Sequence, residues 1–250
     1  MKVPAWKKIT DEVGGPILTT VDATLKKKES PNLNTSLIPH LALYHLDACL
    51  NASIEANAKA QPSCAISLIR QCVESLTIID LGLQEAAYKD PILEKWHAGQ
   101  RTTGEVRKFL AQDIWPRYKT GIWNESWEEY FSNLAKAVHP YAHYSPELMG
   151  WQMSILKYEG GNRLLVSTGS QSAEPVKATR IALLQTIVVW TLGRILLANA
   201  TGPEVCAFQE PIEQLRLAIG SSKLLFKSKQ WADELMPHVF FHPGREWRDD

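Results

Sequence analysis

Two long stretches with helical periodicity are apolar over most of their surface, and they constrain the fold more than any other feature. Residues 174–199 form one stretch, which Pro175 opens and Gly202 closes. Residues 62–88 form the other. A helix that is apolar on most sides must be covered by other elements. We therefore predict that these two helices pair at the centre of a helical bundle. The apolar positions of the second stretch are Ala65, Ile66, Leu68, Ile69, Cys72, Val73, Leu76, Ile78, Ile79, Leu81 and Leu83.

Shorter periodic segments surround this pair. Helical spacing of apolar residues predicts a helix over 36–60. The pattern Ser126-x-x-Glu129 is typical of a helix start and predicts a helix over 127–138. Two extended runs on either side of a Gly-rich turn predict a β-hairpin within residues 152–168. The apolar stripe of the first helix consists of Leu37, Leu41, Tyr44, Ala48 and Ala52.

Turn signals interrupt the beginning of the chain. The run from Lys26 to Lys28 and the following Pro31 break any periodic pattern there. We expect residues 1–35 to be an N-terminal arm with short helical turns, and residues 36–250 to be a single helical domain. The predicted fold class is mainly α, a bundle of about six to eight helices with one small β-hairpin.

Composition limits the classes of function. The 250 residues are 45% hydrophobic and 22% charged, as in ordinary globular proteins. The formal net charge is zero, from 27 basic and 27 acidic residues, so RNA binding through phosphate contacts is not favoured. The start of the chain lacks an apolar leader, and the four cysteines form no CxxC pair, which indicates a cytoplasmic protein. Gln185 and Arg194 interrupt the apolar run 181–200, so we expect a core helix and no membrane span.

Common cofactor motifs are absent from the sequence. It contains no phosphate-binding P-loop, no G-x-G-x-x-G, no G-x-S-x-G elbow, no H-E-x-x-H helix and no EF-hand loop. We therefore expect no cofactor.

One charged pair lies inside the apolar stretch 62–88. Arg70 and Glu74 are four residues apart and share a helix face. An ion pair among apolar neighbours carries a desolvation cost, so it often has a structural or functional reason. In the functional interpretation Arg70 binds an anionic group, and Glu74 orients that group or acts as a base. In the structural interpretation the two residues form a partly solvated pair at the helix edge.

A second group of polar residues follows residue 138. His139 and His143 are four apart, as metal ligands on one helix face can be, although Pro140 breaks the regular turn between them. Histidine also transfers protons near neutral pH. Either histidine could line a pocket with Arg70 and Glu74, or both could bond backbone carbonyls at a helix break. A similar pair, His238 and His242, is better explained by aromatic packing near the chain end.

The run SCAISLIRQCVESLTIIDLGL, followed by KAVHPYAHYS, resembles uncharacterised bacterial all-helical proteins related to the HEPN superfamily. The resemblance covers about residues 63–200 and implies a helical bundle, often dimeric. Many HEPN proteins are RNA-cleaving toxins or phage-defence effectors, and others bind nucleotides or partners. The residues at the matching positions are Arg70, Glu74, His139 and His143. The arginine followed by histidine four to six residues later, on which catalytic members depend, is absent here.

Three functions remain open at this stage, and we rank them. The first is a HEPN-like module that binds a ligand or partner, as a homodimer or with another protein, in a stress, toxin–antitoxin or phage-defence setting. The second is an RNA-cleaving or other hydrolase that uses Arg70, Glu74 and His139. The third is a metal-binding protein that uses His139 and His143, with a metal that the sequence does not specify.

Overall fold

The computed structural model describes residues 3–28, 30–142, 148, 153–159, 163–168 and 175–222. This part of the chain is mainly α-helical, which confirms the mainly α bundle of the predicted fold class. The two apolar helices do pair at the centre. They are α3, Pro62–Gly82, and α7, Pro175–Asn199, and they pack directly on each other.

The segment expected to be an arm is instead a long helix, so that prediction is wrong. Helix α1 spans Ala5–Lys27 and continues through Gly14, Gly15 and Pro16, which look like a turn in the sequence. Its buried face packs against α7 and against α9, Gln209–Gly220. Burial of this face explains why helix-breaking residues are tolerated, because tertiary packing outweighs local propensity. The buried residues of α1 are Trp6, Val13, Ile17, Val21, Thr24 and Leu25.

Helix α2 spans Leu33–Ala58 and packs along α3. The two helices approach closely at Gly82, where a β-carbon would stand 2.3 Å from Cβ of Pro39. Helix α3 ends at Gly82, and the chain turns before the next helix begins at Ala86. The helix predicted over 62–88 is therefore too long at its C-terminal end. Buried Lys89 donates from Nζ to the carbonyl oxygen of Gly82 at 3.1 Å, and so satisfies a carbonyl at the end of α3.

Three further helices cover one side of α3. Helix α4 spans Ala86–His97, α5 spans Thr103–Asp113 and α6 spans Trp127–Val138. Short 3-10 turns follow at Trp115–Arg117 and at His139–Ala142. All three helices contact α3.

Side-chain caps set the starts of two of these helices. Thr102 and Glu105 form a reciprocal capping box at α5. At α6 the hydroxyl of Ser126 accepts from the backbone N–H of Glu129 at 3.2 Å, which confirms the start predicted from the sequence.

Two strands, β1 at Met153–Glu159 and β2 at Arg163–Thr168, pair in antiparallel fashion within the stretch expected to form a hairpin. The turn between them, residues 160–162, lies outside the described residues, so the hairpin stays a prediction.

Helix α7 is followed by the short α8, Pro203–Cys206, and then by α9. Its segment Lys177–Asn199 is long and apolar enough to cross a membrane by length and composition alone, and 78% of its most apolar window is buried inside the protein. The buried position of α7 between α1, α2, α3 and α9 accounts for its composition without a bilayer.

Candidate functional site

Arg70 and Glu74 meet on the side of α3 that faces α5. Arg70 Nη1 donates to Glu74 Oε1, and Arg107 on α5 approaches the same oxygen with its Nη1 at 3.4 Å. The three side chains are 16%, 23% and 22% exposed, so the cluster lies at the edge of the core. Two guanidinium groups share one carboxylate, which leaves an excess of one positive charge. Nε of Arg70 is buried and has no hydrogen-bond partner among the described residues.

His139 lines a cleft of about 280 Å³ between α5 and α6, and its lining residues include Arg107 but neither Arg70 nor Glu74. Arg107 thus links the two places, because it contacts Glu74 on one side and lines the cleft on the other. Sequence reasoning missed Arg107, although its position in an amphipathic helix with Val106 and Leu110 buried was readable.

The structure does not test His143, which lies outside the described residues, as do His238 and His242. In the part of the chain that is described, no three His, Cys, Asp or Glu side chains come close enough to hold a metal ion. The metal-site hypothesis therefore stays a prediction.

A larger groove of about 480 Å³ runs between α2, α3 and α4, and it is mostly apolar. Ile38 and Leu41 of α2 form one wall, and Ile78 of α3 and Trp96 of α4 form the others. Glu74 lies at its polar edge, so the groove and the cleft lie on opposite sides of the contact between Glu74 and Arg107. The remaining lining residues are Ala42, His45, Gln71, Ser75, His97 and Thr103.

The groove borders the solvent-exposed face of α2, because Leu41 belongs to both. The apolar stripe that predicted the helix points away from the core: Leu37 is 47% exposed, Leu41 62% and Tyr44 57%. Leu33, one turn before them, is 69% exposed, and Ala48 extends the stripe after them. Single exposed apolar residues are ordinary, but a contiguous row marks an interaction surface.

Asp80, near the end of α3, is fully buried and was not singled out from the sequence. Its carboxylate accepts from Trp115 Nε1 at 2.8 Å and from the hydroxyl of Tyr118. Asn199 Nδ2 and Gln84 Nε2 add longer contacts of 3.3 and 3.4 Å. The carboxylate thus joins α3, the 3-10 turn and the end of α7. A lone acid in the run LTIIDLGL was the available signal.

Burial raises the pKa of Asp80 to about 6, because a charged carboxylate loses its hydration, while the bonds from Tyr118, Trp115, Asn199 and Gln84 partly oppose that rise. The described donors are all neutral, so no cation compensates the charge. The hydroxyl of Tyr118 shares this environment, and burial raises its pKa well above the usual value. We interpret the network as structural, since neither described cavity is lined by Asp80.

Comparison of the chain with protein-family models, with curated proteins and with solved structures finds no match.

Proposed function

We propose that this chain is a non-catalytic helical interaction module, and that its partner is a second copy of itself docked on the outer face of α2. The observation that carries the proposal is the exposed apolar row on α2 beside an apolar groove. HEPN proteins are often dimeric, so the resemblance is consistent with this partner. The stress or defence setting that the resemblance implies is part of the same proposal.

The row suits pairing with itself. Its positions follow one another in steps of four, four, three, four and four residues, so the spacing reads the same in both directions. In an antiparallel pair about a two-fold axis, Leu41 of each copy faces Tyr44 of the other, and the large residues of one end face the alanines of the opposite end. Large side chains then pack on small ones at both ends of the contact, and Leu41 packs on Tyr44 at its centre. The six positions are Leu33, Leu37, Leu41, Tyr44, Ala48 and Ala52.

Charge and area are consistent with this pairing. None of the six positions carries a charged side chain, and the chain has no net charge to repel a second copy. Helix α2 has 26 residues, so its face is about 39 Å long and about 10–12 Å wide, roughly 400 Å². A standard interface buries about 800 Å² per partner. The second copy must therefore also cover the groove, and Tyr44 of that copy, opposite Leu41, is placed to reach it.

The hydrolase alternative has less support from the geometry. Arg70 already donates to Glu74, and neither residue is among those that line the cleft of His139. A catalytic base must come within hydrogen-bond reach of the group it deprotonates, so an acid–base role needs its members around one cavity.

The test is the molar mass in solution. We expect light scattering after gel filtration to give twice 28.1 kDa for the wild type at about 50 µM, with dissociation on dilution. Leu41→Asp and Ala48→Glu should each give a monomer with unchanged helical circular dichroism, because both positions are exposed in the single chain. Leu217→Asp is the matched control, since Leu217 is 56% exposed but lies on α9. This control should remain a dimer.

Two results would contradict the proposal. A wild-type protein that is monomeric throughout the range would exclude a second copy as the partner. A dimer that persists in Leu41→Asp and Ala48→Glu would place the interface on another face.

A further inference from the structure

We propose that the cleft between α5 and α6 is a binding site for a phosphate group, free or on a small organic molecule. The site is independent of the α2 face. Four of its lining residues can carry positive charge, and they come from both helices: Arg107 and Lys108 from α5, Lys136 from the last turn of α6, and His139 just after it.

One ring contact places the end of α5 beside the first half of α6. Trp115, just after α5, stacks on Phe131 in the first half of α6, with ring centroids 4.9 Å apart. Arg107 lies eight residues before Trp115, and Lys136 lies five residues after Phe131, so both cations lie away from this stacked pair along their helices. Among the described lining residues Glu128 is the one acid, and it precedes Lys136 by eight residues, or about 12 Å along the axis.

The Arg107 guanidinium is held in place and still has donors to offer. Its Nη1 approaches Glu74 at 3.4 Å, while Nη2 lies 3.8 Å from the place where a β-carbon on Gly104 would stand. Gly104 itself lines the cleft, so Nη2 points to the cleft side. Because Glu74 also pairs with Arg70, it does not neutralise both guanidinium groups. A planar guanidinium held by a carboxylate is well suited to bind a phosphate oxygen.

The size of the cleft selects among phosphate ligands. About 280 Å³ is at the low end of the volumes of small-molecule sites, which are about 300–1,000 Å³. Ala111, Ala135 and Trp115 give the cleft an apolar lining on which a short carbon skeleton could lie. A polymer would need a basic surface well beyond the cleft, and the zero net charge of the chain argues against one. A small phosphorylated molecule or inorganic phosphate fits best.

The test is titration calorimetry of the full chain at low salt with inorganic phosphate and with ribose 5-phosphate. We expect the wild type to bind at least one of them with a dissociation constant on the order of 1 mM or below. Tighter binding of the ester would identify an organic phosphate, and equal binding would identify the phosphate group alone as the ligand. Either result supports the site.

Variants show whether phosphate binds specifically in the cleft or is attracted by the positive charges of the surface in general. Lys136→Gln should weaken binding at least about tenfold, and so should Arg107→Lys, which keeps the charge but loses the planar fork. Lys8→Gln is the matched control, because Lys8 is exposed on α1 and makes the same charge change outside the cleft. Its affinity should change less than about twofold.

Three outcomes would overturn the inference. Absence of binding at about 10 mM phosphate would exclude a site of useful affinity. A loss of affinity in Lys8→Gln as large as that in Lys136→Gln would show that the anion is attracted by net charge and does not bind specifically in the cleft. Binding of a single-stranded RNA about a hundredfold tighter than either small ligand would make the cleft part of a polymer-binding surface.

Discussion

Replacement of Asp80 by asparagine should remove one pH dependence of stability and leave the shape of the site intact. Asparagine is isosteric with aspartate and has one carbonyl oxygen, which can keep the bond from Trp115 Nε1. Its amide nitrogen would then face the hydroxyl of Tyr118, which can accept as well as donate, and would lose only the longer contacts from the donors Asn199 Nδ2 and Gln84 Nε2. The variant therefore keeps a packed, hydrogen-bonded core but does not titrate.

The sign of the effect follows from the pKa of Asp80, which is about 6 in the folded chain against a usual 3.8. The folded state binds the proton more tightly than the unfolded state. The stability gained from that proton is complete below about pH 3.8 and is lost as the pH rises through about 6. With about 1.36 kcal/mol per pKa unit, the full effect is about 3 kcal/mol. Between pH 7.5 and pH 4.5 the wild type should gain about 2 kcal/mol relative to Asp80→Asn.

Urea unfolding of both proteins at several pH values measures this difference. The other titrating groups contribute equally to the pH dependence of both proteins, so their contribution cancels in the difference. Measurements on the wild type alone would not separate Asp80 from them. A difference in free energy of unfolding that is flat from pH 7.5 to pH 4.5 would show that the pKa of Asp80 is not raised. A wild type that loses stability relative to Asp80→Asn as the pH falls would show that the neutral donors outweigh burial, and the reasoning on desolvation would be refuted.

Two further predictions concern packing. Gly82→Ala should lower the free energy of unfolding by about 1–3 kcal/mol despite the better helix propensity of alanine, because the new methyl group overlaps Pro39. Gly15→Ala is the control, because nothing lies within 4 Å of the added methyl group there. Equal effects of the two substitutions would contradict the close approach of α2 and α3. Ile17→Ala should lower the free energy of unfolding by about 2–5 kcal/mol, because Ile17 is fully buried in α1. Glu12→Ala is the control, exposed on the same helix, and should change the free energy of unfolding by less than about 0.5 kcal/mol. A loss for Ile17→Ala as small as that of the control would show that this segment is a loosely attached arm.

The candidate site could be predicted only in part. Arg70 and Glu74 do pair, as their four-residue spacing on one helix indicates. Arg107 reaches Glu74 from 33 positions further along the chain, and no local pattern encodes such a contact. One of the two interpretations placed His139 in a pocket with Arg70 and Glu74. The cleft that His139 lines holds Arg107, because the way in which α5 and α6 pack on α3 decides which side chains share a cavity.

The sequence by itself determined which segments are helical wherever a local signal was strong. The apolar periodicity of α3 and α7, Pro62 at the start of α3 and the Ser126 cap of α6 all act within a few residues, so they can be read without the fold. Only the tertiary structure decided which helix faces are covered. The stripe through Leu41 predicts a helix correctly and yet faces solvent, while α1 runs through a Gly-Gly-Pro sequence because its other face is buried. Periodicity reports the spacing of apolar residues, whereas burial depends on what packs against them.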